Sequence, residues 1–171
     1  MRKGTGVSVL AVVLTVAAVG QIVLSFLLFN ENGNLIVRNI GWVMVWLSAI
    51  FSWLPIFTLK RWGRVPRGKG YVHTTTLVDR GVYGIVRHPQ YLAGILLGVG
   101  LSLMVQNWIV AALGVVVAVT SYASVFEEEP FTREKFGAEY EAYCKRVPRV
   151  NFLTGLVRYL RRSRLQGRGN H

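Results

Sequence analysis

The longest uncharged stretch of the chain, residues 89–126, is the feature that most constrains how this sequence can fold. As a single helix it would be about 57 Å long, nearly twice the thickness of the hydrocarbon layer of a membrane. The stretch must therefore turn back, and its only polar break near the middle is Gln106-Asn107. We expect a hairpin of two helices, which brings the acidic run at 127–129 to the side where His88 precedes the first helix.

Two further uncharged runs, residues 7–29 and 41–59, are each long enough to cross a membrane as a helix. Hydrophobic residues form 52% of the chain while basic residues outnumber acidic ones 20 to 8, so apolar and charged residues must be segregated along it. These patterns predict an all-α integral membrane protein with four transmembrane helices, folded as a single membrane domain over residues 1–171. The first run follows Arg2 and Lys3 and continues beyond the length of a signal peptide, so we expect an uncleaved anchor.

The distribution of the 20 basic residues predicts the orientation, because lysine and arginine beside a span are retained in the cytoplasm. Only Arg38 lies in the loop between the first two spans; all the others precede the first span, lie within 60–87 or follow residue 126. Both termini and all candidate chemistry are therefore expected on the cytoplasmic side. Attraction to anionic lipid explains this basic surface better than nucleic acid does, because no nucleic-acid-binding motif accompanies it.

The cysteine and histidine content leaves one histidine of interest. Cys144 is the only cysteine, which excludes a disulfide within the chain and argues against a cysteine-based zinc site, so we predict no metal. His73 and His171 have no ligand spacing and are predicted to be solvated. His88 differs, because it stands immediately before Pro89 at the start of a predicted span. It either caps and anchors that helix or belongs to a binding site at its mouth.

The acidic run Glu127-Glu128-Glu129 lies at the carboxyl end of the last predicted span, where the helix dipole disfavours negative charge. A positively charged partner is therefore expected nearby. The structural candidates are Arg87, Arg133 and Arg149, and the functional candidate is a cationic or amine-bearing cofactor.

The segment after the acidic run is predicted to form a separate helix. Pro130 should end the last span, and Thr132 should cap a short cytoplasmic C-terminal helix over about residues 133–146. One face of that helix carries three aromatic residues: Phe136, Tyr140 and Tyr143. Such a stripe is typical of packing and is also compatible with a cofactor surface. The basic tail at 151–171 indicates either an amphipathic segment on the inner leaflet or a solvated, disordered tail.

Five motifs follow one another between residues 71 and 150. They are Gly81-Val82-Tyr83, Arg87-His88-Pro89-Gln90-Tyr91, Glu128-Glu129, Phe136-Gly137-Ala138-Glu139-Tyr140 and the segment from Tyr143 to Val147-Pro148-Arg149. As a set they resemble the C-terminal signature of the isoprenylcysteine carboxyl methyltransferases and the related phospholipid methyltransferases. The resemblance implies an integral membrane methyltransferase that binds S-adenosylmethionine at the cytoplasmic face, beneath the short C-terminal helix. It also implies a lipophilic or prenylated acceptor, such as the carboxylate of an isoprenylcysteine.

The resemblance implies cofactor contacts from two parts of this region: Thr75, Thr76, Leu77, Val78, Tyr83, His88, Pro89, Gln90, Tyr91 and Glu128. Glu129 is expected to assist Glu128 in binding the amine or a ribose hydroxyl of the cofactor. Two further residues, Tyr140 and Tyr143, are expected to close the cavity over it. We expect the cofactor carboxylate or an anionic acceptor to be held by one of two arginines, Arg87 or Arg149.

The sequence departs from the family at Ser124, where eukaryotic members carry an arginine that approaches the substrate, and at Val150-Asn151-Phe152, where they carry a later proline. Three alternatives therefore remain: a phospholipid amine N-methyltransferase, a nicotinamide-dependent membrane reductase, and a non-enzymatic membrane adaptor. Sterol reductases have a similar C-terminal arrangement, but the four predicted spans argue against a reductase. An anionic acceptor is favoured over an amine, because an ammonium group must first lose a proton to a base.

Overall fold

The computed structural model describes residues 8–64, 66–68, 70 and 73–168. Over these residues it is all-helical, which confirms the predicted fold class. The elements are α1 (Val9–Leu27), α2 (Leu35–Trp62), a 3-10 turn (Gly81–Gly84), α3 (Pro89–Val105), α4 (Trp108–Arg146) and α5 (Phe152–Arg168). Arg2, Lys3 and Val7 of the predicted anchor lie outside the described residues, as do residues 71, 72 and 169–171 of the predicted signature region and tail.

Three of the described helices, α1, α2 and α4, are long and apolar enough to cross a membrane by length and composition. They indicate a membrane protein. Helix α3 is also apolar but has only 17 residues, so the count of four spans stays a prediction.

The break in the uncharged stretch falls where its sequence predicts. Helix α3 ends at Val105 and α4 begins at Trp108, which leaves Gln106-Asn107 as the turn. Gln106 adopts a positive φ of 54°. Its side-chain amide exchanges two hydrogen bonds with the backbone of Asn34, accepting from the N–H at 2.9 Å and donating to the carbonyl at 2.8 Å. This pairing fastens the hairpin turn to the loop before α2.

The chain divides into two compact units, of which the first contains the described residues up to Ile50 and Tyr91–Glu127. Its centre holds Gln21 of α1, whose side chain is fully buried. The Gln21 amide donates to the carbonyls of Gly98 at 2.8 Å and Val110 at 3.1 Å, which ties α1 to both arms of the hairpin. The arms approach closely, since a Cβ placed on Gly114 would lie 2.5 Å from the Gly98 carbonyl oxygen.

The second unit contains Phe51–Gln90 and the described residues from Glu128 onward. Within it α5 packs through Phe152, whose ring meets that of Phe51 edge to face at 5.2 Å. Gly155 lies directly against the Ile85 carbonyl, where no side chain would fit. The tail is therefore a docked helix over Phe152–Arg168, which agrees with the predicted amphipathic segment and not with a disordered tail.

The prediction that Pro130 ends the helix is wrong, because α4 continues through it as far as Gly137. A proline removes one intrahelical hydrogen bond but has a φ that suits a helix. The hydroxyl of Thr132 donates to the Glu128 carbonyl at 3.2 Å, so Thr132 bonds back along α4 and does not cap a new helix. The backbone departs from helical geometry instead at Gly137, with φ 52° and ψ −129°. The break before the short cytoplasmic helix predicted over 133–146 therefore lies at Gly137 and not at Pro130.

Candidate active site

The second unit contains an open cavity of about 230 Å³. Most of the predicted site residues line it: Thr76, Leu77, Val78, Tyr83, Arg87, His88, Gln90, Glu128, Tyr140 and Tyr143. The loop at 74–78, the 3-10 turn, the segment before α3 and the charged part of α4 therefore share one cavity. The predicted residues absent from its described lining are Thr75, Pro89, Tyr91, Glu129 and Arg149.

Glu129 lies behind the cavity wall and is 5% exposed. Arg149 donates two parallel hydrogen bonds to its carboxylate, at 3.0 Å and 2.9 Å. Arg87 adds an ion pair at 3.1 Å. Burial favours the protonated acid, but the Arg149 hydrogen bonds and the charges of both arginines outweigh it and lower the pKa of Glu129. Glu129 is therefore an ionised anchor that holds two arginines.

His88 is 6% exposed and lies beside the carboxylates of Glu128 and Glu129. Its Nε2 is 3.4 Å from Glu129 and its Nδ1 is 3.9 Å from Glu128. Its backbone N–H donates to the Arg149 carbonyl at 3.0 Å, so the segment before α3 is paired with the segment after α4. Burial lowers the pKa of His88, with a further contribution from Arg87, although both glutamates oppose the shift. The imidazole is therefore neutral at neutral pH.

Glu128 differs from its neighbour because its side chain is 51% exposed and reaches the cavity. The hairpin thus brings His88 and the acidic run together, as the sequence predicts. The expected arginine partners divide between two carboxylates: Arg87 and Arg149 bind Glu129, while Arg133 pairs with Glu141 at 2.6 Å. Glu128 is left as the acidic group that a bound molecule can meet.

Arg87 is the basic group that reaches both the buried cluster and the cavity. Its Nη1 bonds to Glu129 and to the Cys144 sulfur, and its guanidinium lies 6.0 Å from the centre of the Tyr140 ring. Its Nε is buried without a hydrogen-bond acceptor among the described residues. Such a donor suits a carboxylate or another anionic group of a ligand.

Aromatic side chains form the other wall of the cavity. Tyr140 and Tyr143 are each 2% exposed and form a buried cluster with Val147. The Tyr143 hydroxyl donates to the Tyr83 carbonyl at 2.6 Å, which fixes the 3-10 turn against α4. The stripe predicted on this helix therefore serves packing and also lines the cavity.

The sequence reasoning missed several lining residues: Leu59, Thr74, Phe131, Thr132, Lys135 and Phe136 as a cavity residue. Lys135 donates to the Thr74 carbonyl at 2.5 Å and so closes the cavity on one side. The sequence did contain a signal for two of these residues. Thr132 and Lys135 follow Glu128 at successive spacings of four and three residues, so they extend the aromatic stripe toward the start of α4. The assumed helix end at Pro130 concealed it.

The geometry suits the binding of a polar molecule that carries both charges. Glu128 offers an acceptor for hydroxyl or amine groups, Arg87 offers a donor for an acid, and the tyrosines offer apolar ring surface. A family model described as phospholipid methyltransferase matches residues 36–139, which is more than half of the chain. The chain belongs to the phospholipid methyltransferase family, and the resemblance predicted from its motifs is confirmed.

The curated relatives point to the same enzyme class. The chain is 30% identical over 121 residues to protein-S-isoprenylcysteine O-methyltransferase B of Arabidopsis thaliana, covering 66% of this chain and 57% of that protein. It is 34% identical over 130 residues to protein-S-isoprenylcysteine O-methyltransferase of Rattus norvegicus, covering 66% of this chain and 45% of that protein. The chain thus spans about half the length of these relatives. No solved structure matches it significantly.

Proposed function

We propose that this chain is an S-adenosylmethionine-dependent methyltransferase that acts at the cytoplasmic membrane face on a lipophilic acceptor bearing a carboxylate, such as an isoprenylcysteine. One observation carries the proposal: Arg87, His88 and Glu128 meet at one cavity in a member of a methyltransferase family. The names of the curated relatives support a prenylcysteine as the acceptor. The placement of the basic residues supports the cytoplasmic side.

The cavity residues fit this cofactor. Glu128 would accept from its amine or a ribose hydroxyl, and the buried Nε of Arg87 would donate to its carboxylate. Leu77 and Val78, together with the ring of Tyr140, would cover its apolar parts. When bound, S-adenosylmethionine would supply an electrophilic methyl group on its sulfonium sulfur, with neutral S-adenosylhomocysteine as the leaving group.

The remaining site residues position these groups. Glu129 holds Arg87 and Arg149 in place through three contacts of 2.9 to 3.1 Å. The Tyr143 hydrogen bond holds the turn that carries Tyr83. Alignment of reactants needs such rigidity more than it needs a proton shuttle.

The chemistry of the cavity favours a carboxylate over an amine. A carboxylate is already a nucleophile at neutral pH, whereas an ammonium with a pKa near 10 must first be deprotonated. His88, the nearest base, is buried between two glutamates and Arg87 and is committed to that cluster. The phospholipid amine stays the second candidate, because the matching family model bears a phospholipid methyltransferase description.

Radiolabelled cofactor distinguishes these acceptors. Purified protein would be incubated with the labelled methyl donor and with matched acceptors: farnesylated cysteine, the same compound as its methyl ester, and phosphatidylethanolamine. We expect label on farnesylated cysteine alone, released by mild base as expected for an ester. Base-stable label in phosphatidylethanolamine would replace the carboxylate proposal with N-methylation. Absence of transfer together with absence of S-adenosylhomocysteine binding by calorimetry would overturn the methyltransferase proposal itself.

A further inference from the structure

Helix α5 exposes an apolar stripe that the fold of its unit does not use. Leu153 is 75% exposed, and Val157 and Leu160 are each 49% exposed. Their spacing of four and three residues places them on one face of the helix. The packed face is a different one, formed by Phe152, Gly155, Tyr159 and Arg162. The stripe is thus available to lipid or to a partner.

The contacts of α5 with α2 align this stripe with the predicted second span. Phe152 meets Phe51, which lies within the apolar run predicted to span the membrane. Farther along α5, the Arg162 guanidinium donates to the Gly84 carbonyl at 2.8 Å and shares a cavity with Trp62, the last residue of α2. Tryptophan and arginine at the end of a span are typical of the headgroup level. Relative to that predicted span, α5 runs from acyl-chain depth toward headgroup depth.

A basic cavity lies at this headgroup end. Its volume is about 590 Å³, and its walls include Arg80, Arg146 and Arg162 with Asp79 as the acidic residue. Asp79 pairs with Arg146 at 3.4 Å, so the charges of the other two arginines are not balanced within the described lining. A cavity with this charge suits an anionic oxygen group such as phosphate.

We propose that this basic cavity binds the headgroup phosphate of an anionic glycerophospholipid, whose acyl chains lie along the Leu153, Val157 and Leu160 stripe. An anionic lipid matches both features at once: its phosphate would lie beside the arginines, and its hydrocarbon chains would extend toward the start of α5. A protein partner would need a single surface that complements both the basic cavity and the apolar stripe. The site is separate from the cofactor cavity and does not depend on the proposed methyl transfer.

Native mass spectrometry of the full chain, released from detergent with added lipid, tests this site. The probes are dioleoyl phosphatidylglycerol and dioleoyl phosphatidylcholine, which share acyl chains and differ in headgroup charge. We expect phosphatidylglycerol to be retained at about tenfold lower concentration, since two unbalanced arginines favour an anionic headgroup. Equal retention of both lipids would overturn the proposal without any variant.

Charge-matched variants locate the site. Arg80→Gln should weaken phosphatidylglycerol retention about fivefold, whereas Arg161→Gln, an exposed α5 arginine outside the described lining, should change it by less than about twofold. Thermal unfolding of each variant checks that it is folded. Equal losses for both variants would mean diffuse attraction and would overturn a defined cavity. Displacement of the lipid by inorganic phosphate alone would overturn lipid as the occupant.

Discussion

Adjacent carboxylates in the second unit meet opposite surroundings. Glu129 is enclosed by Arg87, Arg149 and His88, while the side chain of Glu128 is half exposed in the cavity. A buried carboxylate paired with two arginines cannot be removed without leaving their charges uncompensated, whereas a carboxylate facing an open cavity is available for binding. We therefore expect the two glutamine variants to differ: the change at Glu128 should affect ligand binding, and the change at Glu129 should affect stability.

Glu128→Gln should weaken S-adenosylhomocysteine binding by about tenfold, because it removes a charged acceptor from the cavity. Its melting temperature should stay close to that of the wild type. Calorimetric titration and thermal unfolding in the same detergent measure both quantities. Glu134→Gln, which removes an exposed charge outside the described lining, is the matched control. Unchanged binding by Glu128→Gln would remove this residue from the proposed site.

Glu129→Gln should instead lower the melting temperature clearly. Two arginines lose their partner, at a cost of roughly 2–4 kcal/mol, less than for a fully buried pair because the Arg149 side chain is 39% exposed. Thermal unfolding without ligand measures this loss. A variant as stable as the wild type would show that the cluster is not a stabilising one.

His88 should make stability depend on pH. Because burial holds its folded-state pKa below the ordinary 6.5, the unfolded chain binds more protons as pH falls through that value, and stability falls with it. Glu129 affects stability only at lower pH. Because its pKa is lowered in the folded state, its contribution to stability is kept until the pH drops below the ordinary 4.5. Melting temperatures measured between about pH 7 and pH 5 should decline less steeply in His88→Gln. The exposed His73→Gln should retain the wild-type slope.

At the scale of elements, the sequence predicts those helices and turns whose positions are determined by the length of apolar runs and by local polarity. The turn at Gln106-Asn107 follows because no single helix of the uncharged stretch fits a membrane. The continuation of α4 through Pro130 could not be predicted, because a proline in a helix is tolerated or not according to tertiary packing. The three hydrogen bonds donated by the Gln21 side chain could not be predicted either, because a single glutamine in an apolar run does not indicate its partners.

The docking of α5 depends on the absence of a side chain at Gly155. A substituent there would collide with the Ile85 carbonyl, and a backbone group cannot move aside as a flexible side chain can. Gly155→Leu should therefore detach α5 and speed its cleavage by trypsin, for which Arg158 and Arg161 are sites. Thr154→Leu, at the exposed neighbouring position, should be cleaved at the wild-type rate. Equal rates for the two variants would contradict this packing.

For the whole molecule, the sequence predicts the helical class and the meeting of distant motifs, because both follow from hydrophobic length and from folding back. The basic cavity was not predicted, since Arg80, Arg146 and Arg162 come from three separated segments with no common spacing. Long-range convergence of this kind has no periodic signature, unlike the stripe on α4.

The proposed orientation makes a prediction for labelling. In a Cys144→Ser background, a cysteine at Asn32 should react with an impermeant reagent in intact cells, and a cysteine at Arg161 should react only after the membrane is opened. Both positions are exposed in the structure, so access to the reagent depends on the side of the membrane. External labelling at Arg161 would invert the orientation and move the cofactor cavity out of the cytoplasm.

The shortness of α3 has a consequence for the surrounding bilayer. Its 17 residues extend about 26 Å, a few ångströms less than an ordinary hydrocarbon layer. As the predicted third span, a helix of this length would be accommodated by local thinning of the bilayer, at a cost that rises with every ångström of mismatch. Thick, sterol-rich membrane domains would impose the larger mismatch. With α3 as a span, the protein is expected to partition into thinner membrane, which would restrict its proposed acceptors to lipophilic molecules that share that environment.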